Sequence, residues 1–378
     1  MASRPTKGLL LVTSACALVG CKDALEVLQG NLLEIHPRFE RVDVATGDRT
    51  ALALPPVLRG GAIDVVVGDE LYRLGGLDEG TVFSDALEVY DPATGAWTAL
   101  APWPSPRGAS TAVVGRRICL GHASVLEPNS TVVTEVERID CYDVDTGAWS
   151  MLPSSPVGTF STALAVAGDR LFHAGPQHAP AGGALPAAAA VYDFTAEAWE
   201  SLPDLPAACG VDDAVGDTDA VYVLCGDNDV SRVYALELAS STWSSRADLP
   251  FGVFQSRRTF AVAGGLLAGF DSHLDGSVAQ RYSPGSDAWS PTPPAHPGGG
   301  AVSAFRPAVL GDAVFFHPDE EKEGSTYVFL DEVWRYDLTA STWAVASSHP
   351  AELDLRMVPV VLAGELYLIG GIERLRGF

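Results

Sequence analysis

The sequence predicts an all-β protein assembled from a repeated unit of four antiparallel strands. Three observations carry this expectation. A tryptophan returns about every fifty residues, at Trp97, Trp149, Trp199, Trp243, Trp289 and Trp343, with gaps of 52, 50, 44, 46 and 54. Each one ends a similar phrase, clearest in Asp91-Pro92-Ala93-Thr94-Gly95-Ala96-Trp97 and Asp143-Val144-Asp145-Thr146-Gly147-Ala148-Trp149. Between these phrases run short alternating segments bounded by Gly and Asp, and no segment carries a long helical period. A fixed period of this size marks a repeat architecture, in which each unit buries its core against its neighbours.

The elements of a unit follow in a constant order. Strand a is an alternating run such as Ala109–Val114. A tight turn follows, at Gly68-Asp69, Gly115-Arg116, Gly168-Asp169, Gly216-Asp217, Gly311-Asp312 and Gly364-Glu365. Glycine there supplies the positive φ that a two-residue hairpin needs. Strand b is apolar and ends in small residues, as in Leu71–Gly76 and Leu366–Gly371. A variable loop leads to strand c, which ends in Tyr90-Asp91, Tyr142-Asp143, Tyr192-Asp193, Tyr234, Tyr282 or Tyr336-Asp337. The Asp of this phrase is expected to cap its own turn before the Trp-bearing strand d.

Six full units lie between two half-units. Arg41–Arg49 matches the c–d phrase with Arg49 in the Trp place, and Arg356–Gly371 reads as an a–b pair. Pairing the two ends would complete one more unit and remove exposed sheet edges. The expectation is therefore a seven-bladed β-propeller, closed by N-terminal c–d strands on C-terminal a–b strands. Six blades with disordered ends is the alternative.

The Gly-Gly pair, the Tyr-Asp and the Trp in this order resemble the kelch repeat, over nearly all of residues 38–372. The resemblance is strong for the unit ending at Trp97 and decayed elsewhere. No Trp-Asp dipeptide ends the strands, unlike the WD40 repeat. Gly147-Ala148-Trp149 has one residue between Gly and Trp, where the sialidase Asp-box has two.

The chain has 378 residues and a formal charge of -24. That acidity argues against nucleic-acid binding, which needs a basic face, and fits a monomer kept apart by self-repulsion. Arg4 and Lys7 precede the apolar stretch Gly8–Ala17, which is too short to span a bilayer and reads as a signal peptide. Leu18-Val19-Gly20-Cys21 resembles the bacterial lipobox, which implies lipidation of Cys21. The domain expectation is a signal peptide over 1–20, a lipidated Cys and tether over 21–36, and a propeller over 37–378. Lys22 in place of Asp favours the outer membrane over the inner one in that family. Ordinary cleavage and secretion is the alternative.

Four further cysteines remain beyond Cys16 and Cys21. Cys209 and Cys225 are each eight residues from a turn centred near residue 217, and Cys119 and Cys141 fall on neighbouring strands b and c. An even set in an exported chain suggests two disulfides. Buried free thiols are the alternative.

Candidate binding residues come from topology. The d–a and b–c connections share one face. Arg59, Arg107, Arg257, Arg258, Arg306 and Arg356 recur near the start of strand a, which lines the channel. His122, His173, His178, His273 and His317 follow strand b. Long b–c loops, such as Gly175–Ala190 and His317–Val328, overhang the same face. Clustered arginines suit carboxylates or phosphates. The face could thus take an anionic glycan or acidic peptide, and some kelch proteins use such arginines for acidic peptides. Pairing of each Arg with an acid of its own blade is the opposing reading. No metal site is expected, and Asp227-Asn228-Asp229 reads as a turn.

Two function classes follow. One is a membrane-anchored, exported binding module with no catalytic group and no cofactor. The other is a carbohydrate-active enzyme resembling sialic-acid mutarotase. Resemblance to galactose oxidase is confined to its central propeller, because no free Cys is left for its Tyr–Cys crosslink.

Overall fold

A computed structural model describes residues 33–78, 82–121, 123–126, 133–136, 138–157, 163–175, 188–207, 209–217, 219–227, 230–248, 258–262, 266–270, 280–289, 301–323, 326–329, 332–348 and 356–374. Among them there is no helix, and none long and apolar enough to cross a membrane.

The described residues form seven sheets that each carry a four-strand path in the order a, b, c, d. The first unit is Ile63–Val67, Glu70–Leu74, Leu87–Asp91 and Ala96–Ala99. The second is Thr111–Val114, Arg117–Leu120, Asp140–Asp143 and Ala148–Met151, and the third is Ala163–Ala167, Arg170–Gly175, Ala188–Asp193 and Ala198–Ser201. The fourth comprises Gly210–Gly216, Ala220–Asp227, Val230–Glu237 and Thr242–Arg246. The fifth comprises Arg258–Val262, Leu266–Phe270, Gln280–Ser283 and Ala288–Trp289, and the sixth Ala301–Leu310, Ala313–Glu323, Glu332–Asp337 and Thr342–Ser348. The last sheet joins the two ends of the chain: Arg49–Ala51, Leu33–Val42, Glu365–Arg374 and Arg356–Leu362 lie side by side.

The end-to-end pairing follows the expected scheme, with Val42 opposite Leu366 and Phe39 opposite Ile369. Strand Leu33–Val42 begins four residues inside the stretch read as a tether, and Leu33, Glu34 and Ile35 pair with Arg374, Glu373 and Ile372. The first strands of successive sheets touch one another around a ring, and Ile63–Val67 touches Arg356–Leu362 to close it. This is the β-propeller plan, in which full closure removes sheet edges.

The core lies between sheets. Ile63, Tyr72 and Leu74 of the first unit pack with Ile118, Leu120 and Tyr142 of the second. Phe39, Tyr367 and Ile369 of the closing sheet pack with Leu71 and Tyr90 of the first. Tyr and Trp rings meet at a tilt within four units, with centroids 5.2 Å apart in Tyr90–Trp97, Tyr142–Trp149, Tyr192–Trp199 and Tyr282–Trp289.

Five of the six repeat indoles also tie their blade to the preceding one; the Trp343 Nε1 is buried without such a bond. Trp97 Nε1 donates to Ala53 O, Trp149 to Ala101 O, Trp199 to Pro153 O, Trp243 to Pro203 O and Trp289 to Ala247 O. From Trp149 onward, the acceptor stands four residues past the previous tryptophan.

The turns explain the glycine pattern. Gly68, Gly115, Gly168 and Gly311 have positive φ at the first position of the a–b turn. In the last a–b turn the loop is Ala363-Gly364, one residue earlier than the sequence suggested, and both residues have positive φ. The turn Asp behaves as expected: Asp91 Oδ1 accepts from Ala93 N, and Asp193 Oδ1 accepts from Thr195 N and Ala196 N.

Both disulfides are present. Cys119 stands opposite Cys141 with Cα atoms 4.1 Å apart, as a directly opposed antiparallel pair allows. Cys209 bonds Cys225 across 5.5 Å. Their opposition is not direct, because the turn lies beyond Gly216, between Asp217 and Ala220, and sets Val211 against Cys225.

Two b–c connections carry extra pairing in place of plain loops. Ala123–Leu126 pairs with Val133–Val136. Ala313–Glu323 runs on to pair with Thr326–Phe329, across most of the stretch read as a loop after His317. In the fourth unit Asp227 pairs with Val230, while Asn228 and Asp229 lie outside the described residues.

Candidate functional site

The arginines expected to ring the channel mouth divide by environment. Arg59 and Arg107 precede the first strands of units one and two, as expected, but both guanidiniums are buried and paired. Arg59 Nη1 donates to Glu88 Oε2 at 2.6 Å and to Val57 O, while Nη2 donates to Arg73 O. Arg107 Nη1 donates to Asp140 Oδ2 at 2.9 Å and to Ser105 O, while Nη2 donates to Arg138 O. Burial lowers the pKa of both arginines, and the facing carboxylates oppose that shift. Each acid stands two residues before the unit's tyrosine, so the two blades repeat one motif. Pairing within the blade is therefore the arrangement at these two positions.

The other candidates fare differently. Arg258 and Arg356 open first strands, whereas Arg306 sits in the middle of Ala301–Leu310; the side chains of all three lie outside the described residues. Arg257, His122, His178 and His273 also lie outside them. His173 and His317 belong to second strands rather than to the loops beyond, and both are buried. The His173 Nδ1 is 2.7 Å from Ser155 Oγ. These two rings are buried because they sit within strand b itself and not in the loop that follows it. No group of three or more metal-ligating side chains occurs among the described residues.

A groove of about 500 Å³ lies on the face of the d–a and b–c connections, between units one and two. Its walls are Val57, Phe83, Pro102, Trp103, Pro104 and Pro106, with Asp78, Ser84 and Asp85 as polar members. Backbone pairing builds one wall: Gly60 pairs with Leu77 and Leu77 with Phe83, which lays the d–a link beside the b–c loop. Ser84 N donates to Gly76 O, and Asp78 Oδ1 accepts from Val82 N at 2.8 Å.

The floor is Trp103, which is buried. Its Nε1 donates to Asp140 Oδ2, the Arg107 guanidinium lies 5.0 Å from its ring centroid, and Trp149 stacks on it at 6.2 Å. The Gly75-Gly76 pair makes room for this. A Cβ on Gly75 would meet Trp103 Cζ3 at 3.2 Å, and one on Gly76 would meet Gly60 O at 2.7 Å. Sequence reasoning missed these lining residues. The available signal was Trp103 itself, which stands outside the fifty-residue series, flanked by Pro102 and Pro104.

Comparison with known proteins agrees with the repeat architecture. A kelch motif matches residues 61–102, the unit that carries the groove's b–c loop. The chain is 28% identical over 228 residues to kelch-like protein terF of Aspergillus terreus, covering 53% of this chain and 47% of that protein. It is 28% identical over 224 residues to human kelch-like protein 34, covering 54% of this chain and 33% of that protein. It is 30% identical over 176 residues to kelch-like protein 25 of Xenopus tropicalis, covering 44% and 28%. The chain thus spans less than half the length of each of these relatives. Fold, motif and relatives support a kelch-repeat protein.

Proposed function

We propose that this chain is a membrane-anchored, exported protein-interaction module that receives its partner on the d–a and b–c face. The observation that carries the reading is the groove between units one and two, lined by apolar and acidic side chains. Kelch-like relatives support binding as the task. Export is supported by the two disulfides, which persist in oxidising compartments. Anchoring rests on the lipobox-like run ending at Cys21; stable attachment takes more than one acyl chain.

Two experiments test it. A photocrosslinking residue placed at Val82 in cells should yield a discrete adduct, whereas one at Asp169, in an a–b turn on the opposite face, should not. Equal adducts at both positions, or none, would overturn the assigned face. Labelling with an alkyne fatty acid should mark the full chain and lose the mark in Cys21→Ala, with release from membranes. Labelling that persists in that variant would overturn the anchor.

A further inference from the structure

The groove's chemistry narrows the partner. Seven large apolar side chains are exposed among the described residues; one, Val57, lines this groove, Leu54 and Leu58 belong to the same d–a link, and Val82 precedes the lining residue Phe83. Exposures of 43%, 41%, 47% and 52% for Leu54, Val57, Leu58 and Val82 leave apolar surface that a partner could cover. The same cleft carries Asp78 and Asp85, and no Lys or Arg is among the described residues that line it. The nearest buried guanidiniums, Arg59 and Arg107, are already matched by Glu88 and Asp140. The prolines at 102, 104 and 106 fix the wall, so little chain entropy is lost on binding.

We infer that the groove takes a cationic, apolar peptide segment of another protein: an aliphatic or aromatic side chain over Val57 and Phe83, with Lys or Arg beside Asp78 and Asp85. The inference rests on the interaction reading above. Charge complementarity selects the occupant. A second copy of this chain is disfavoured by its own formal charge of -24, and an acidic segment would meet two carboxylates with no counter-charge among the described lining residues.

The test is selection of a random decapeptide library on the full-length protein, followed by anisotropy titration of the most enriched peptide. Enriched peptides should pair Lys or Arg with Leu, Phe or Trp. Binding should weaken roughly tenfold in Asp78→Asn/Asp85→Asn and again as salt is raised. Asparagine at position 78 keeps an oxygen for Val82 N, so that variant keeps its loop. Asp169→Asn, in the exposed a–b turn of unit three, should leave binding unchanged. Enrichment of acidic peptides, absence of enrichment, or equal affinity in the double variant would overturn the inference. If the Val82 crosslink forms while these peptides fail, only the peptide chemistry is wrong; if the crosslink also fails, the face itself is wrong.

Discussion

Arg49 and Ser347, 298 residues apart in sequence, are joined by a 3.0 Å hydrogen bond from Arg49 Nε to Ser347 Oγ. Arg49 occupies the place of the repeat tryptophan in the closing sheet, and Ser347 stands four residues after Trp343. The bond therefore replaces the indole-to-carbonyl tie that links other blades, such as Trp149 to Ala101. Ser347 Oγ in turn donates to Gly47 O, and Arg49 Nη1 lies 3.6 Å from Glu40.

This makes ring closure testable. Arg49→Ala removes a hydrogen bond from a charged donor and leaves Glu40 without that partner, at a cost of about 1.5–3 kcal/mol. Ser347→Ala should cost about 1 kcal/mol for its lost bonds. Urea denaturation would show lower midpoints in both. Unchanged midpoints would mean that backbone pairing of Val42 with Leu366 and its neighbours closes the ring alone.

The c–d turns offer a second prediction. Each has one left-handed position, filled by Gly47, Gly95, Gly147, Glu197, Ser241, Asp287 or Ser341. A non-glycine residue there costs about 1–2 kcal/mol, part of which glycine gives back through a freer unfolded chain. Glu197→Gly and Ser341→Gly should each raise stability by up to about 1 kcal/mol. Asp287→Gly should lower it, because Asp287 Oδ1 accepts from Tyr282 Oη and Ala247 N. Thermal melts of the three variants decide this. A gain in Asp287→Gly would sink the argument.

Strand order, closure of the ends and the Cys119–Cys141 bond were legible because they rest on local signals: alternation, two-residue turns and a repeated phrase. What failed was whatever needed a neighbour in space. Arg59 and Arg107 were placed correctly along the chain, yet their role depends on Glu88 and Asp140, which only the packed blade brings to them. The Cys209 register moved because the turn falls between Asp217 and Ala220 and not at the Gly216-Asp217 pair that the repeat pattern offered. The groove was missed because its walls are loop residues outside the repeat, and Trp103 was masked by the Trp97 series.

Acid should unfold the protein through its turns. Asp91, Asp143, Asp193 and Asp337 all have pKa values lowered, chiefly by backbone N–H donors of their own turns. A folded pKa below the unfolded one gives stability that is present above the unfolded pKa and lost as pH falls through the folded value. The melting temperature should hold above roughly pH 5 and fall steadily towards pH 2. Replacing Asp193 and Asp337 together by Asn, which keeps the acceptor oxygen but not the charge, should make that fall shallower. An unchanged slope would assign the acid sensitivity elsewhere.

The buried cluster under the groove gives the sharpest energetic test. Asp140 receives Arg107 Nη1, Trp103 Nε1 and Arg138 Nε, the last on its other oxygen. The Arg107 and Asp140 side chains are 0% and 1% exposed. Removing one partner leaves a buried charge uncompensated, which costs about 3–5 kcal/mol. Asp140→Leu should do so by stranding Arg107, whereas Arg107→Leu should cost less because Arg138 Nε and Trp103 Nε1 still reach Asp140, both measured by equilibrium urea unfolding. The double variant Arg107→Leu/Asp140→Leu removes both charges, so its loss should be well below the sum of the two. Additive losses would show that the carboxylate and guanidinium are solvated independently. The same double variant should also loosen Trp103, which loses both its hydrogen-bond acceptor and its overlying cation. Its indole fluorescence should then shift towards longer wavelength even where the fold survives.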